Sequence, residues 1–155
     1  MELSEIFKQT NITVDLTSRT KEELFEELID FLASRKELEE TEEVREALWE
    51  RERMLNTVVA PAIALPHASL RRQTEGIGVF GVSHQGIDYG DTEGEPVHIV
   101  MLLIDNRFET KKHLRALRSA AALIGSPNFY TKIMRCTTPG EVHEVIVEVE
   151  EMQRV

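Results

Sequence analysis

The sequence has a single cysteine and no long apolar run, and each scarcity excludes a class of protein. Cys136 is the one cysteine among 155 residues, so no internal disulfide can form, which is typical of cytosolic proteins. No apolar stretch approaches the roughly 20 residues that a membrane-spanning helix needs. The first residues, 1–5, lack the basic and apolar start of a secretory signal. We therefore expect a cytoplasmic protein without direct membrane insertion.

Positive charge is also scarce. The 18 Lys and Arg residues stand against 28 Asp and Glu residues, which gives a net charge of −10. A surface of this sign repels the phosphate backbone, so we expect no nucleic-acid partner. Such acidity mainly favours solubility, and it also suits a partner protein with a basic face.

Hydrophobic periodicity predicts helices at both ends of the chain and strands between them. The expected helices cover 2–8, Thr17 or Ser18 to about Arg35, 41–54, 110–124, 128–134 and the segment from Thr138 onwards. The expected strands cover 12–16, 62–65, 77–82, an edge segment at 87–89 after a turn at Gln85-Gly86, and the nearly continuous apolar run 97–104. We therefore predict a single α/β domain, in which a mixed central β-sheet is flanked by helices on both sides as a three-layer sandwich.

Several common catalytic and cofactor motifs are missing. The five histidines (His67, His84, His98, His113 and His143) include no pair at i, i+4, and the chain has no Cys-x-x-Cys. A zinc site is therefore not expected, although one assembled from distant residues stays open. The sequence also lacks a Gly-x-Ser-x-Gly elbow, a Walker loop and a dinucleotide-binding fingerprint.

His67 stands out because of its position in the chain. It directly follows Pro66, at the end of the apolar run 62–65. Proline restricts the backbone there, and functional residues of open sheets gather where strands end. These residues alone leave two interpretations open: a functional histidine, or one that only finishes a strand at the surface.

Residues 51–68, RERMLNTVVAPAIALPHA, resemble the signature of the mannitol/fructose/nitrogen-regulatory enzyme IIA family of the bacterial sugar phosphotransferase system. That signature joins an Arg-Glu pair at a helix end, a threonine and an Ile-Ala-Leu-Pro-His segment. A second similarity is a histidine opening a helix, in Lys112-His113-Leu114. The resemblance covers almost the whole chain, so residues 1–155 would form one enzyme IIA-like phosphoryl-carrier domain.

The resemblance implies which residues and partners carry the function. His67 would be the phosphorylated nucleophile, His113 and Arg51 the other catalytic residues, and Thr57 a further candidate for the phosphate pocket. Neutral imidazole is a suitable nucleophile for phosphorus, and a second histidine and a forked guanidinium can meet the charge on the phosphoryl oxygens. The donor would be an HPr-type phosphocarrier protein and the recipient a IIB component or a regulatory protein, with no cofactor or metal.

One segment departs from the family pattern. Members usually have glycines between the threonine and the Ile-Ala segment, whereas residues 58–62 read Val-Val-Ala-Pro-Ala. Glycine permits close approach and unusual backbone angles. The departure supports an alternative, a regulatory binding module with the same fold that transfers no phosphate to a sugar permease. A metal-binding protein that uses His67 and His113 is a third possibility.

Two geometric expectations follow from the phosphoryl-carrier hypothesis. His67 and His113 should face each other across one shallow pocket, and the guanidinium of Arg51 should point into it from the end of the second long helix. The remaining histidines should be structural or lie at the surface.

Overall fold

One mixed β-sheet forms the middle layer of the molecule. The computed structural model describes residues 2–71, 76–90 and 93–154. Within them the strands are β1 (Ile12–Thr13), β2 (Val58–Ala60), β3 (Ile63–Ala64), β4 (His67–Leu70), β5 (Ile77–Ile87) and β6 (Val97–Asn106). Their order is β1-β5-β6-β3-β2, with β4 also paired to β6. Strand β1 runs parallel to β5, and β3 and β4 run parallel to β6, whereas the β5–β6 and β2–β3 pairs are antiparallel.

Helices cover both faces of the sheet. They are α1 (Leu3–Ile6), α2 (Lys21–Ser34), α3 (Thr41–Met54), α4 (Thr110–Ile124), α5 (Phe129–Met134) and α6 (Pro139–Gln153), with a 3-10 turn at Gln9–Asn11. Two apolar clusters fill the layers: the first joins the sheet to α1, α4, α5 and α6, and the second joins it to α2 and α3. The predicted three-layer sandwich is therefore confirmed. None of the described helices is long and apolar enough to cross a membrane.

Strand β6 shows why its apolar run belongs in the centre. Its residues Ile99, Met101 and Leu103 pack into the first cluster. The alternating residues Val100, Leu102 and Ile104 pack into the second. Because successive side chains of a strand point to opposite faces, a strand covered on both sides needs apolar residues throughout.

The start of α2 differs from the prediction. We expected Thr17 or Ser18 to cap the helix, but the N-cap is Thr20, whose side chain accepts from the amide of Glu23 at 3.2 Å. The hydroxyls of Thr17 and Ser18 contact the carboxylate of Glu27 instead. A charged acceptor binds a hydroxyl more strongly than a neutral one, so these two residues are taken by a side chain further along the helix.

The predicted turn at Gln85-Gly86 is wrong. Strand β5 runs through these residues to Ile87, with an irregularity in its pairing with β6 between Val82 and Ile87. Gly86 has φ +93°, and a Cβ there would lie 2.8 Å from Cβ of Pro96. The turn signal therefore marks a β-bulge, where glycine supplies a left-handed residue inside a continuous strand. Ile87 and Tyr89, expected on an edge, are fully buried.

Candidate functional site

Three elements bring His67, His113 and Arg51 together at one rim of the sheet. His67 is the first residue of β4, His113 lies in the first turn of α4, and Arg51 lies in the last turn of α3. Their side chains line one pocket of about 250 Å³. The two imidazole rings are 5.6 Å apart between centroids, with an angle of 46° between their planes. Both geometric expectations, for the paired histidines and for the direction of Arg51, are confirmed.

His67 begins a strand, whereas the sequence suggested that it follows the end of one. Pro66 has no N–H and cannot continue the ladder of β3, so pairing along β6 resumes only at His67. The carbonyl of Pro66 still accepts from the amide of Leu103 at 3.0 Å. The predicted strand 62–65 is therefore β3, and β4, which the sequence did not predict, begins after Pro66 with His67, opposite the carboxyl-terminal half of β6.

Hydrogen bonds fix the tautomer of His67. Nδ1 lies 2.9 Å from the carbonyl oxygen of Leu65. A carbonyl only accepts, so Nδ1 carries the proton and Nε2 carries the lone pair. Nε of Arg51 donates to that Nε2 at 3.2 Å. The nitrogen that carries the lone pair therefore lies beside a guanidinium, and both side chains line the pocket.

Burial keeps His67 neutral. Partial burial lowers the pKa of its imidazole below the ordinary value, and the nearby Arg51 and His113 act in the same direction. The bond to Leu65 and the carboxylate of Glu52 oppose this shift in pKa. Because the ordinary value is about 6.5, His67 holds a free lone pair at neutral pH.

Arg51 is held at both sides of its guanidinium. Its Nη1 donates to the carbonyl oxygen of Leu55 at 2.8 Å, while Nε reaches His67. Leu55 directly follows α3, so this arginine caps the end of its own helix, as arginines often do near helix C-termini. One side chain therefore both caps the end of α3 and lines the pocket.

Thr57 does not face the pocket, so that part of the prediction is wrong. Thr57 is 2% exposed, and its hydroxyl donates to Oε2 of Glu52 at 2.8 Å and lies 2.7 Å from the hydroxyl of Tyr89. Its amide donates to the other Glu52 oxygen at 3.1 Å, and Nζ of Lys21 lies 3.1 Å from that same atom. A buried carboxylate needs such partners, and it takes the threonine away from the pocket.

This buried network, Glu52, Thr57, Tyr89 and Lys21, supports the site from behind. Burial raises the pKa of Tyr89 above its ordinary value, and Glu52 adds to the effect, so the phenol stays a neutral donor. The network anchors both ends of the short connection between α3 and β2. That connection carries the Leu55 carbonyl that holds Arg51.

His113 has a second ionisable neighbour besides His67. Its Nδ1 lies 3.8 Å from Oδ2 of Asp105, a residue of β6 that is 7% exposed. Burial lowers the pKa of His113 below its ordinary value, and the carboxylate of Asp105 opposes this shift. His113 is therefore neutral in the free protein at neutral pH.

Sequence reasoning missed Asp105 and Arg107 as neighbours of this site. Asp105 follows the apolar run of β6, and Arg107 lines the same pocket as the two histidines. A signal was present, because polar residues that directly end a buried apolar strand lie at a sheet rim. Neither residue forms part of a local motif, so the signal gave no reason to connect them with His113.

The other histidines have structural or surface positions, as expected. Nδ1 of His98 lies 2.7 Å from the carbonyl oxygen of Ser83, and Nε2 of His143 lies 3.0 Å from that of Ser4. His84 is exposed. In the part of the chain that the structure describes, no three His, Cys, Asp or Glu side chains are grouped so as to hold a metal ion.

Comparison with known proteins gives consistent results. The family model described as "Phosphoenolpyruvate-dependent sugar phosphotransferase system, EIIA 2" matches residues 5–149. The fructose-specific EIIABC component of Bacillus subtilis (strain 168) is 24% identical over 146 residues, which are 94% of this chain and 23% of that relative. The nitrogen regulatory protein of Klebsiella oxytoca is 26% identical over 149 residues, 96% of this chain and 91% of that relative.

A solved structure shows the same fold. The crystal structure of nitrogen regulatory protein IIA-Ntr from Neisseria meningitidis matches with a TM-score of 0.83 at 24% identity, covering 93% of this chain and 98% of that one. The chain spans less than a quarter of the Bacillus relative and nearly all of the Klebsiella relative. With a family model that covers almost its full length, the chain belongs to the EIIA 2 family of the phosphoenolpyruvate-dependent sugar phosphotransferase system.

Proposed function

We propose that this chain is a histidine phosphoryl carrier, a phosphotransferase system IIA component. It accepts a phosphoryl group from an HPr-type donor on Nε2 of His67, and passes it to a IIB component or holds it as a regulatory signal. The observation that carries the proposal is the lone pair on Nε2, which faces a pocket shared with Arg51 and His113.

The transfer step needs only groups of this site and the donor. The Nε2 lone pair of His67 forms a bond to phosphorus as the bond between phosphorus and the donor's nitrogen breaks, and the electron pair of the broken bond returns to the donor. Nδ1 keeps its proton because it donates a hydrogen bond to the Leu65 carbonyl. The phosphorylated ring is then an imidazolium, whose neutral form is a good leaving group for onward transfer.

The charge on the transferring group is met by Arg51 and His113. Phosphoryl transfer spreads negative charge over three equatorial oxygens, and positioning and charge stabilisation are the main contributions a protein makes. When Nε2 binds phosphorus it no longer accepts from Arg51, so the Nε–H of Arg51 becomes available to a phosphoryl oxygen next to that atom. The ring of His113, 5.6 Å from that of His67, stands on another side of the group.

The names of the relatives support two kinds of recipient. The Bacillus subtilis relative is a fructose-specific EIIABC component, which favours a IIB recipient. The Klebsiella oxytoca relative is a nitrogen regulatory protein, which favours a regulatory target. Both uses start from the same phosphorylated His67.

A regulatory module that has lost transfer is the second candidate, and residues 58–62 are the observation in its favour. Ala62 has φ +68°, a left-handed conformation that favours glycine. Ala62 therefore adopts a left-handed conformation that glycine would adopt more easily. The side chains of His67, Arg51 and His113 nevertheless share one pocket, which supports the carrier.

Phosphoryl uptake tests the proposal and separates the two candidates. The protein is incubated with a phosphorylated HPr-type donor, and intact mass shows the gain of a phosphoryl group. We expect one group, labile in acid and stable in base, and its loss in His67→Ala. The exposed His84 provides the control, since His84→Ala should behave as the parent protein. No uptake from the donor would favour the non-transferring module.

His113→Ala should give a different result from His67→Ala. It removes a stabilising group and leaves the nucleophile, so uptake should persist while onward transfer slows by roughly 10²–10³-fold, as when one preorganised donor is lost. The rate of label loss to a IIB component measures this. Uptake abolished by His113→Ala and retained by His67→Ala would reverse the two roles.

A further inference from the structure

Asp105 places a carboxylate behind the second histidine of the site. Its Oδ1 accepts from the amide of Asn106 at 2.7 Å, which fixes the orientation of the carboxylate. The other oxygen, Oδ2, points to Nδ1 of His113 at 3.8 Å, and both side chains are at most 14% exposed. Nδ1 of His113 has no hydrogen-bond partner among the residues that the structure describes. A buried ring nitrogen thus stands just beyond hydrogen-bond distance of a buried carboxylate.

The two nitrogens of His113 make conflicting demands. Toward Asp105, Nδ1 has to carry a proton, because a lone pair facing a carboxylate is repelled. Neutral imidazole has one N–H, so Nε2 then carries the lone pair. A phosphoryl group on His67 is an acceptor, and it also needs an N–H from His113. Only the doubly protonated ring can donate to both negatively charged neighbours.

We propose that Asp105 is a positioning residue for His113, and that phosphorylation of His67 makes His113 take up one proton from solvent at Nε2. In the free protein the ring is neutral, with its proton on Nδ1 toward Asp105. In the phosphorylated protein it is an imidazolium that donates from Nδ1 to Asp105 and from Nε2 to a phosphoryl oxygen. This proposal rests on the proposed function of His67.

The charges around His113 support this two-state behaviour. Arg51 and Glu50 from α3, His67 from β4 and Arg107 after β6 line the same pocket. The two arginines disfavour a cation in the free pocket, as does burial. Phosphorylation places a phosphoryl dianion beside Nε2 and a positive charge on the ring of His67, so the pocket becomes more negative by one charge, while Asp105 already provides one negative charge beside Nδ1.

The backbone of His113 is held in place by a hydrogen bond of its amide. The amide donates to the carbonyl oxygen of Glu109 at 3.1 Å, which closes the first turn of α4. A shift of about 1 Å between the two side chains would bring this 3.8 Å separation to a hydrogen bond near 2.8 Å.

The free protein gives a test that needs no phosphorylation. Nitrogen chemical shifts of uniformly ¹⁵N-labelled protein report which ring nitrogen of His113 is protonated. We expect protonated Nδ1 in the parent protein. In Asp105→Asn, Oδ1 stays with the amide of Asn106 and an NH2 replaces Oδ2, so the tautomer of His113 should switch to Nε2–H. Protonated Nε2 in the parent, or an unchanged tautomer in Asp105→Asn, would overturn the role of Asp105.

The phosphorylated protein tests the proton uptake. His67 is phosphorylated with phosphoramidate, a donor that needs no partner protein, and the ring of His113 is titrated by NMR. The proton affinity of His113 should rise at least roughly tenfold on phosphorylation, which is one pKa unit. In Asp105→Asn the rise should be clearly smaller, because a neutral Nε2–H already meets the phosphoryl group.

Asp30→Asn is the matched control. Asp30 is an exposed residue of α2 that does not line this pocket, and the substitution changes the net charge equally. It should leave the titration of His113 as in the parent. An equal rise in all three proteins would overturn the coupling to Asp105, and no rise in the parent would overturn proton uptake. Failure of phosphoramidate and of the HPr-type donor to modify His67 would instead contradict the proposed function, while the tautomer test would still decide the role of Asp105.

Discussion

At the scale of single residues, partial burial sets the protonation state in which His67 and His113 can act. Each imidazole has a pKa below its ordinary value mainly because the protein removes water from it. At neutral pH His67 therefore keeps its lone pair on Nε2, and His113 is neutral. The same burial makes folding sensitive to acid.

The pH dependence of stability should show this burial. Because both histidines have a lower pKa in the folded protein, the unfolded chain binds more protons as pH falls through the ordinary value near 6.5. The free energy of unfolding should therefore decrease from about pH 7.5 towards pH 5. The double variant His67→Gln/His113→Gln should have a flatter profile in urea unfolding, and the exposed His84→Gln should keep the parent slope. An unchanged slope in the double variant would contradict the burial account.

Arg51→Lys should slow transfer and leave the fold intact. Lysine keeps the charge but cannot hold the Leu55 carbonyl and reach Nε2 of His67 with one planar group. We expect phosphoryl uptake to slow roughly tenfold or more. Arg53→Lys, on the exposed side of the same helix, is the control and should transfer at the parent rate. Equal rates for both variants would remove Arg51 from the site.

At the scale of elements, the connection between α3 and β2 depends on the buried network of Glu52, Thr57, Tyr89 and Lys21. Thr57→Val keeps the shape and removes the hydroxyl between Glu52 and Tyr89. The free energy of unfolding should fall by about 1–3 kcal/mol, because a buried carboxylate and a buried phenol each lose a partner. Thr57→Ser retains the hydroxyl, so its free energy of unfolding, measured in the same urea unfolding, should decrease by clearly less. Equal losses would show that volume, and not hydrogen bonding, stabilises this connection.

The turn between β2 and β3 should be improved by glycine. Ala62 has φ +68°, while its carbonyl accepts from the amides of His98 and Ile99 at 2.8 and 3.1 Å, so the conformation is held by the sheet. Ala62→Gly should raise the free energy of unfolding by about 1 kcal/mol. Ala60→Gly, two residues earlier in β2, should instead lower it. The same sign for both variants would contradict a strained Ala62.

Long apolar patterns predicted the helices and strands well. The hydrogen-bond partners of polar side chains could not be predicted where several candidates compete for one carboxylate. The alternation in β6 and the capping box of α6, in which Thr138 and Glu141 bond each other's backbone, are local and could be read directly. The cap of α2 and the partner of Thr57 are set by Glu27 and Glu52, carboxylates whose choice depends on the folded arrangement. The pairing of His67 and His113 also depends on the folded arrangement, so it was predicted only from the resemblance to a family. Asp105 was not predicted, because its proximity to His113 arises only when β6 and α4 pack together.

At the scale of the whole molecule, the pocket lies at the rim of a sheet that is stabilised elsewhere. The two apolar clusters cover both faces of the sheet, and the ring of His67 belongs to neither. We therefore expect the removal of this ring to cost little stability at neutral pH. The free energy of unfolding of His67→Ala should lie within about 1 kcal/mol of that of the parent protein, as is usual for a position with few core contacts. The variant nevertheless lacks the proposed acceptor atom.

The most direct test of the proposed phosphoryl carrier is to identify the nitrogen that receives the phosphoryl group. The ¹⁵N-labelled protein is phosphorylated by an HPr-type donor, and coupling between phosphorus and ring nitrogen is measured by NMR under basic conditions that preserve the bond. The hydrogen bond from Nδ1 to the Leu65 carbonyl predicts one phosphoryl group on Nε2 of His67. A phosphoryl group on Nδ1 of His67, or on any other residue, would contradict the account.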